Sequence, residues 1–114
     1  MTMRESTYYV LAALLDERRH GYAIIKKAEE LSGGRVRMAA GTLYATLDRL
    51  SAQGYVHADG EEIVNGRARR YYSLTPDGSA ALRAEAERMA AAVKVVTDHG
   101  SGRAARVQPS AGPA

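Results

Sequence analysis

Hydrophobic residues recur at helical spacing through the N-terminal part of the chain. An apolar segment covers residues 7–15, and Ser6 in front of it is expected to cap the free amide groups of the first helical turn. A second helix is predicted over Gly21–Leu31, because its apolar positions share one face and most of its charged positions lie off that face. The residues expected on the buried face are Ile24, Ala28 and Leu31.

A third helix is predicted over residues 40–53, where leucines at spacings of four and three residues share one face. These residues are Leu43, Leu47 and Leu50. Gly54 is expected to end this helix. Between the second and third helices, the alternation of Arg35, Val36 and Arg37 favours a short edge strand.

The following segment has the pattern of a β-hairpin. Two predicted strands, residues 55–64 and 67–74, flank Asn65-Gly66, the dipeptide that most readily forms a two-residue type I′ turn. Alternation along the second strand places Tyr72 and Leu74 inward and Arg69 and Tyr71 outward. Three helices and a hairpin are typical of a winged helix-turn-helix domain, so the predicted fold class is mainly α with a small β-hairpin.

A long C-terminal helix completes the predicted architecture. Thr75 and Pro76 suit a helix start, and the alanine-rich segment continues to about Asp98. Its apolar residues follow a heptad rather than the wider stripe of a core helix: Leu82, Ala86, Met89, Val93 and Val96. So small a domain offers this seam no obvious internal partner, which predicts a homodimer.

Three regions follow from this organisation. Residues 1–75 are predicted to form the winged helix-turn-helix domain and residues 76–99 the dimerisation helix. Residues 100–114 are rich in Gly, Ala, Ser and Pro and lack periodicity, so a disordered tail is predicted there.

Composition narrows the class of protein. A chain of 114 residues allows one domain with a modest core. Its formal net charge of +3 is weak, but residues 63–73 carry three arginines and no acid, so the basic character is local. The absence of cysteine excludes disulfides, thiolate zinc sites and cysteine nucleophiles, and fits a reducing cytoplasm.

No pattern in the chain marks an enzyme, a metal centre or a membrane segment. There is no Gly-rich phosphate loop, no GxSxG elbow and no plausible catalytic pair of acids, and His20, His57 and His99 are far apart in sequence. A basic leader joined to an apolar stretch is lacking, and no apolar run approaches the roughly 20 residues that span a bilayer. We expect a soluble, cytoplasmic protein that is not an enzyme and binds no cofactor.

The third helix and the hairpin carry the residues suited to duplex DNA. On the outward face of the helix, small side chains would allow close approach to the major groove, and the polar residues would reach bases and phosphates. The candidate contacts are Gly41, Tyr44 and Ala45 on this face, with Thr42 and Arg49 at its border. An ordinary solvated helix face is the alternative interpretation of these residues.

On the hairpin, the guanidinium groups of Arg67, Arg69 and Arg70 could bind phosphates or enter a minor groove. The alternative is a basic edge strand that only discourages aggregation. Tyr22, near the start of the second helix, could also reach a phosphate or serve as a packing residue. Together with the third helix, the arginines favour DNA contact.

Four ordered motifs between about Tyr8 and Gly78 resemble the PadR family of transcriptional regulators. These motifs are His20-Gly21-Tyr22-Ala23-Ile24, Gly41-Thr42-Leu43-Tyr44 with Leu47 and Arg49-Leu50, Gly66-Arg67 with Arg70-Tyr71-Tyr72, and Leu74-Thr75-Pro76-Asp77-Gly78. The resemblance implies a dimeric winged-helix regulator, usually a repressor, in which Thr42, Tyr44 and the wing arginines touch DNA. It also implies dimerisation through the single C-terminal helix, as in the family's short branch.

Some positions depart from the family pattern. Ala39 stands where a capping serine is common, Ala45 where proline often follows the tyrosine, and Ala68 where the wing often has proline. The chain also lacks tryptophan, the residue that forms the drug-binding sandwich at the dimer interface of some relatives.

These observations predict a homodimeric regulator that binds a pseudo-palindromic operator in double-stranded DNA. Two alternatives stay open at this point. One is a sensor of a small aromatic effector in the dimer cleft, with Tyr8, Tyr9 and Met89 as its lining. The other is a winged-helix module that uses the third helix to bind another protein.

Overall fold

The structure of the chain, a computed structural model, describes the backbone of residues 3–110 and the side chains of residues 3–99. Within these residues, four helices and a three-stranded antiparallel sheet follow one another along the chain. In order, the elements are α1 (Glu5–Ala12), β1 (Arg19–His20), α2 (Gly21–Leu31), α3 (Ala40–Ala52), β2 (Val56–Val64), β3 (Arg67–Leu74) and α4 (Pro76–Ser110). The predicted class, mainly α with a β-hairpin, is confirmed.

One core joins the first three helices, the sheet and the beginning of α4. Its larger members are Val10, Leu11, Leu14, Ile24, Leu43, Leu47, Leu50, Val56, Tyr72 and Leu82. The leucine face predicted for α3 is confirmed, because Leu43, Leu47 and Leu50 are all buried. Burial of this face directs the opposite face of α3 to solvent, which fixes the orientation of the candidate DNA contacts.

The first helix differs from its prediction at both ends. Arg4, not Ser6, occupies the N-cap position, and Ser6 lies in the first turn beside Glu5, whose negative charge suits a helix start. The helix ends at Ala12, and the amides of Leu14 and Leu15 bond to carbonyls three residues earlier. Leu15 is consequently exposed rather than in the predicted apolar helix.

The segment after α2 corrects two further predictions. Leu31 is exposed, although Ile24 and Ala28 on the same helix are fully buried. The predicted strand at residues 35–37 is wrong. Ser32 holds this loop instead, because its hydroxyl accepts from the Val36 amide at 2.9 Å and donates to the Glu29 carbonyl at 3.1 Å. These local bonds replace a strand ladder.

The hairpin forms as predicted, and its turn fixes the pairing of β2 with β3. Asn65 and Gly66 have φ angles of 53° and 76°, as a type I′ turn requires. Val64 therefore faces Arg67, and Glu62 faces Arg69. A bulge interrupts the pairing between Ala58 and Glu61.

The sequence analysis missed β1, which pairs with β3 on the edge opposite β2. In this short strand, Arg19 faces Tyr72 and His20 faces Tyr71. Because α2 begins at the next residue, Gly21, the backbone that pairs with the hairpin is continuous with the start of that helix.

A compact junction connects β3 to α4. The Thr75 hydroxyl caps the helix by accepting from the Gly78 amide at 3.0 Å, and it donates to the Gly54 carbonyl at 2.5 Å. The Thr75 amide bonds to the Tyr55 carbonyl at 3.1 Å. Gly78 is buried directly against that carbonyl, so any side chain at this position would overlap it.

The C-terminal helix continues to Ser110, past the end predicted near Asp98. The expected tail thus differs from the structure over residues 100–110, and residues 111–114 lie outside the described residues. Glycine lowers helix propensity by about 1 kcal/mol, but Gly100 and Gly102 do not end the helix, and alanines follow them. No helix in the described part of the chain combines the length and the apolar character that a membrane span needs.

The chain divides after Arg83 into two compact units, so the first unit includes more of α4 than the predicted boundary at residue 75 allowed. Leu82 is 4% exposed and packs in the core of the first unit, which removes it from the predicted dimer seam. In the second unit Met89, Val93 and Val96 are 40%, 58% and 71% exposed. Ala86 is half-buried, so the exposed apolar seam begins beyond it.

Candidate nucleic-acid interface

A groove of about 420 Å³ lies between the starts of α2 and α3 and the tip of the hairpin. We call it the wing groove. Its lining residues are His20, Gly21, Tyr22, Tyr44, Val64, Asn65, Arg67, Ala68, Arg69 and Arg70. The groove therefore brings three arginines of the hairpin together with two tyrosines, one from α2 and one from α3.

Five of the nine predicted DNA contacts line this groove: Tyr22, Tyr44, Arg67, Arg69 and Arg70. Three others, Gly41, Thr42 and Ala45, are exposed on α3. Arg49 is also exposed, but its Nη2 donates to the buried Thr7 hydroxyl at 3.1 Å and so ties α3 to α1. This bond gives Arg49 a structural contact that the sequence pattern did not indicate.

Close contact with Gly21 sets the position of Tyr44. The Tyr44 ring is 46% exposed, and its hydroxyl lies where a Cβ atom on residue 21 would be. A glycine at the start of α2 consequently leaves room for the phenol between the two helices. The Tyr22 ring is more exposed, and the Lys26 ammonium lies 5.7 Å from its centroid.

The wing arginines differ in their surroundings. Arg67 and Arg70 are exposed, whereas Arg69 is partly buried and its Nη1 lies 3.9 Å from the Glu62 carboxylate. The same carboxylate accepts a 2.6 Å hydrogen bond from the Tyr71 hydroxyl. Arg69 therefore faces an acidic group across the hairpin, although the sequence between residues 63 and 73 contains no acid.

Besides Glu62, two further groups contact Tyr71. The Arg18 guanidinium lies 4.5 Å from the ring centroid, and the His20 ring meets the phenol edge-on at 5.5 Å. Arg18 also donates to the carbonyl of Asp59 at 2.6 Å, in the bulge of β2. These contacts fix the outward face of the sheet next to the wing groove.

The pKa values of His20 and Tyr71 differ from those of the free side chains. Partial burial and the nearby Arg69 charge lower the pKa of His20, while the Glu62 carboxylate acts in the opposite direction. His20 therefore favours its neutral form, in which Nδ1 caps α2 by accepting from the Ala23 amide at 3.4 Å. The hydrogen bond to Glu62 raises the pKa of Tyr71, so this phenol keeps its proton.

Sequence reasoning missed four residues that contribute to the geometry of this region: Arg18, His20, Gly21 and Glu62. His20 and Gly21 belong to a motif that carried the family resemblance, but no role had been assigned to them. Glu62 could have been found, because a two-residue turn at Asn65-Gly66 dictates its pairing with Arg69.

Tyr8 and Tyr9, which were predicted to line an effector site, have the contacts of packing residues. Tyr8 packs against the core, and its ring meets the Tyr9 ring edge-on at 5.4 Å. A small aromatic effector stays a prediction.

Comparison with known proteins identifies the family of this winged helix. The model of the transcriptional regulator PadR-like family matches residues 10–84, which include α2, α3 and the whole hairpin. The chain belongs to the PadR-like family of transcriptional regulators. The prediction that it is not an enzyme is confirmed, since this PadR-like family consists of transcriptional regulators.

Individual relatives share sequence or fold with this chain. The transcriptional regulator Rv3488 of Mycobacterium tuberculosis is 42% identical over 74 residues, a match that covers 65% of this chain and 65% of that protein. A PadR family transcription regulator from Clostridium difficile shares the fold with a TM-score of 0.70, at 20% identity, over 84% of this chain and 98% of its own. Bacillus subtilis PadR, whose structure is a complex with operator DNA, has a TM-score of 0.64 at 19% identity, over 96% of this chain and 75% of its own.

Proposed function

We propose that this PadR-like chain is a homodimeric repressor that binds a pseudo-palindromic operator and acts in the cytoplasm. Helix α3 enters the major groove, and the wing arginines contact the backbone or a minor groove. Repression follows from occlusion of the operator. The observation that carries the proposal is the wing groove, which gathers Tyr44 and three arginines along one open surface.

The exposed face of α3 supports the major-groove assignment. Gly41 and Ala45 present little side-chain volume there, and nothing lies within 4 Å of the space that a Cβ on Gly41 would occupy. A helix needs such open space to approach base edges. Tyr44, held by its contact with Gly21, lies on the same element.

The relatives support the same function in coarser terms. Bacillus subtilis PadR, which shares the fold, was captured with operator DNA. Under our proposal the present chain docks in a similar manner, and its two copies place one α3 in each of two half-sites about one helical turn apart. Each wing then neutralises phosphates beside its half-site.

Selection from a randomised duplex pool at near-physiological salt, followed by sequencing, tests the proposal as a whole. We expect an inverted repeat with half-sites about ten base pairs apart. Enrichment of no sequence, with binding that vanishes as salt rises, would instead leave only nonspecific electrostatic attraction. Binding of a partner protein that survives loss of all three wing arginines would favour the protein-interaction alternative.

Single substitutions are expected to separate positioning contacts from sequence readout. Arg67→Ala should weaken binding to operator and random duplexes alike and flatten the plot of log affinity against log salt by about 0.9, because one phosphate contact is lost. Tyr44→Ala should weaken operator binding preferentially, by about tenfold. Fluorescence anisotropy titrations at several salt concentrations measure both, and equal losses on both duplexes for Tyr44→Ala contradict its role.

The contact between Gly21 and Tyr44 gives a second test of the same helix. Gly21→Ala should displace the phenol and reduce operator affinity about five- to tenfold, the effect of about 1 kcal/mol or slightly more for one contact. Stability should change by less than about 1 kcal/mol, since the exposed ring can rotate away. In a Tyr44→Ala background, Gly21→Ala should have no further effect on affinity; additive losses would show that it acts elsewhere.

A further inference from the structure

The two strands of the wing oppose acids to arginines. The register places Glu62 across from Arg69 and Glu61 across from Arg70, while Arg67, nearest the turn, faces the apolar Val64. Within the described side chains, the 3.9 Å approach of Arg69 to Glu62 is the ion pair that joins an acid of β2 to a wing arginine. The wing thus carries one arginine whose charge is partly engaged before any DNA arrives.

Neighbouring groups hold the Glu62 carboxylate in place. It accepts the Tyr71 hydroxyl at 2.6 Å, a hydrogen bond strengthened by the negative charge of the acceptor. Tyr71 in turn is confined by the Arg18 guanidinium over its face and by the edge of His20. A carboxylate ordered in this way loses little entropy when it attracts Arg69, in contrast to an acid on a free side chain.

We propose that Glu62 determines the affinity of the wing for DNA by competing with phosphate for Arg69. This inference rests on the proposed function. A phosphate that approaches the wing groove must draw Arg69 away from the Glu62 carboxylate. The phosphate is also repelled by the negative charge of that carboxylate. This cost in binding free energy is the same for every duplex. Glu62 therefore lowers the affinity for all DNA without reading its sequence. An operator still binds, because the contacts of α3 with its bases compensate for this cost.

The effect expected from Glu62→Gln is a gain of binding. Glutamine keeps an acceptor oxygen for the Tyr71 hydroxyl but removes the negative charge that attracts Arg69. Affinity should rise about two- to fivefold for operator and random duplexes alike, the range expected for release of one partly exposed ion pair. The slope of log affinity against log salt should steepen by up to about 0.9.

Two controls make the assignment specific. Glu61→Gln removes the same unit charge from the adjacent position of β2 and should change affinity less than twofold. In an Arg69→Gln background, Glu62→Gln should give no gain, because the group that it releases is absent. Anisotropy titrations of the six proteins, namely wild type, three single variants, the double variant and Arg67→Ala as a reference, complete the cycle.

Each result decides the inference. A gain for Glu62→Gln that disappears without Arg69 supports it, whereas an equal gain for Glu61→Gln, or one that persists without Arg69, shows only a general charge effect and overturns it. A loss of affinity also overturns it, since Glu62 would then orient Arg69 productively. Failure of the wild type to bind any duplex refutes the proposed function itself, which distinguishes that failure from the others.

Discussion

Gly78→Ala is expected to destabilise the first compact unit by about 2–3 kcal/mol, the cost of inserting an atom into tightly packed backbone. The added Cβ would overlap the carbonyl of Tyr55, which belongs to the main chain and cannot rotate away. Relief requires that the start of α4 move away from Tyr55, which breaks the 3.1 Å bond from the Thr75 amide to the same carbonyl. The expected loss is a net value, because the higher helix propensity of alanine offsets about 1 kcal/mol of the strain.

Thermal unfolding followed by circular dichroism at one protein concentration measures this change. The midpoint should fall by roughly 10–20 °C for a domain of this size. Gly41→Ala is the matched control, because the same atom added to a helix of the same unit meets open space. Its midpoint should stay the same or rise slightly; equal behaviour of the two variants would exclude the predicted clash.

Met89→Glu is expected to convert the proposed dimer into monomers. Met89, Val93 and Val96 form an exposed apolar seam on α4, and a second copy packed on it would enclose the new carboxylate without a partner. Operator affinity should then fall at least about a hundredfold, because each half-site must be bound independently. Light scattering gives the mass, and anisotropy on the operator gives the affinity.

The control for this prediction carries the same charge on the other side of the helix. Ala91 is exposed and lies about 160–200° around α4 from Met89 and Val93, so Ala91→Glu should leave both mass and affinity unchanged. A dimer mass that persists in Met89→Glu would remove this seam as the interface, whatever happens to DNA binding.

Two kinds of element could be predicted. One is a helix whose apolar pattern repeats over several helical turns, and the other is a β-turn with a characteristic dipeptide. The leucine stripe of α3 and the Asn65-Gly66 turn are of these kinds, and both are confirmed. β1 could not be found, because two residues, Arg19 and His20, give no periodicity and owe their conformation to β3. Its partner strand is more than fifty positions away in the chain, so the determining interaction is not local.

Local patterns that do not reveal their tertiary neighbours caused the wrong predictions. The alternation at residues 35–37 resembled a strand, but a strand needs a neighbour for its amide groups, and Ser32 supplies the Val36 amide with a partner first. Similarly, the heptad of α4 placed Leu82 with the dimer residues, because spacing alone does not reveal that the core reaches the start of this helix.

The candidate site was predictable in its composition but not in its geometry. The groove contains the tyrosines and arginines that charge and helical spacing indicated. Its restraint by Gly21 and by Arg18 depends on contacts between distant elements, which only the folded chain specifies.

The two-residue strand β1 has a mechanical consequence. His20 is bonded into the sheet next to Tyr71, and the next residue, Gly21, begins the helix against which Tyr44 rests. We therefore expect a displacement of the wing to shift Gly21, and with it the contact that supports Tyr44, so that the wing and α3 change position together. Under the proposed function, the entropy of aligning them is lost during folding, and DNA meets a surface that is already preorganised.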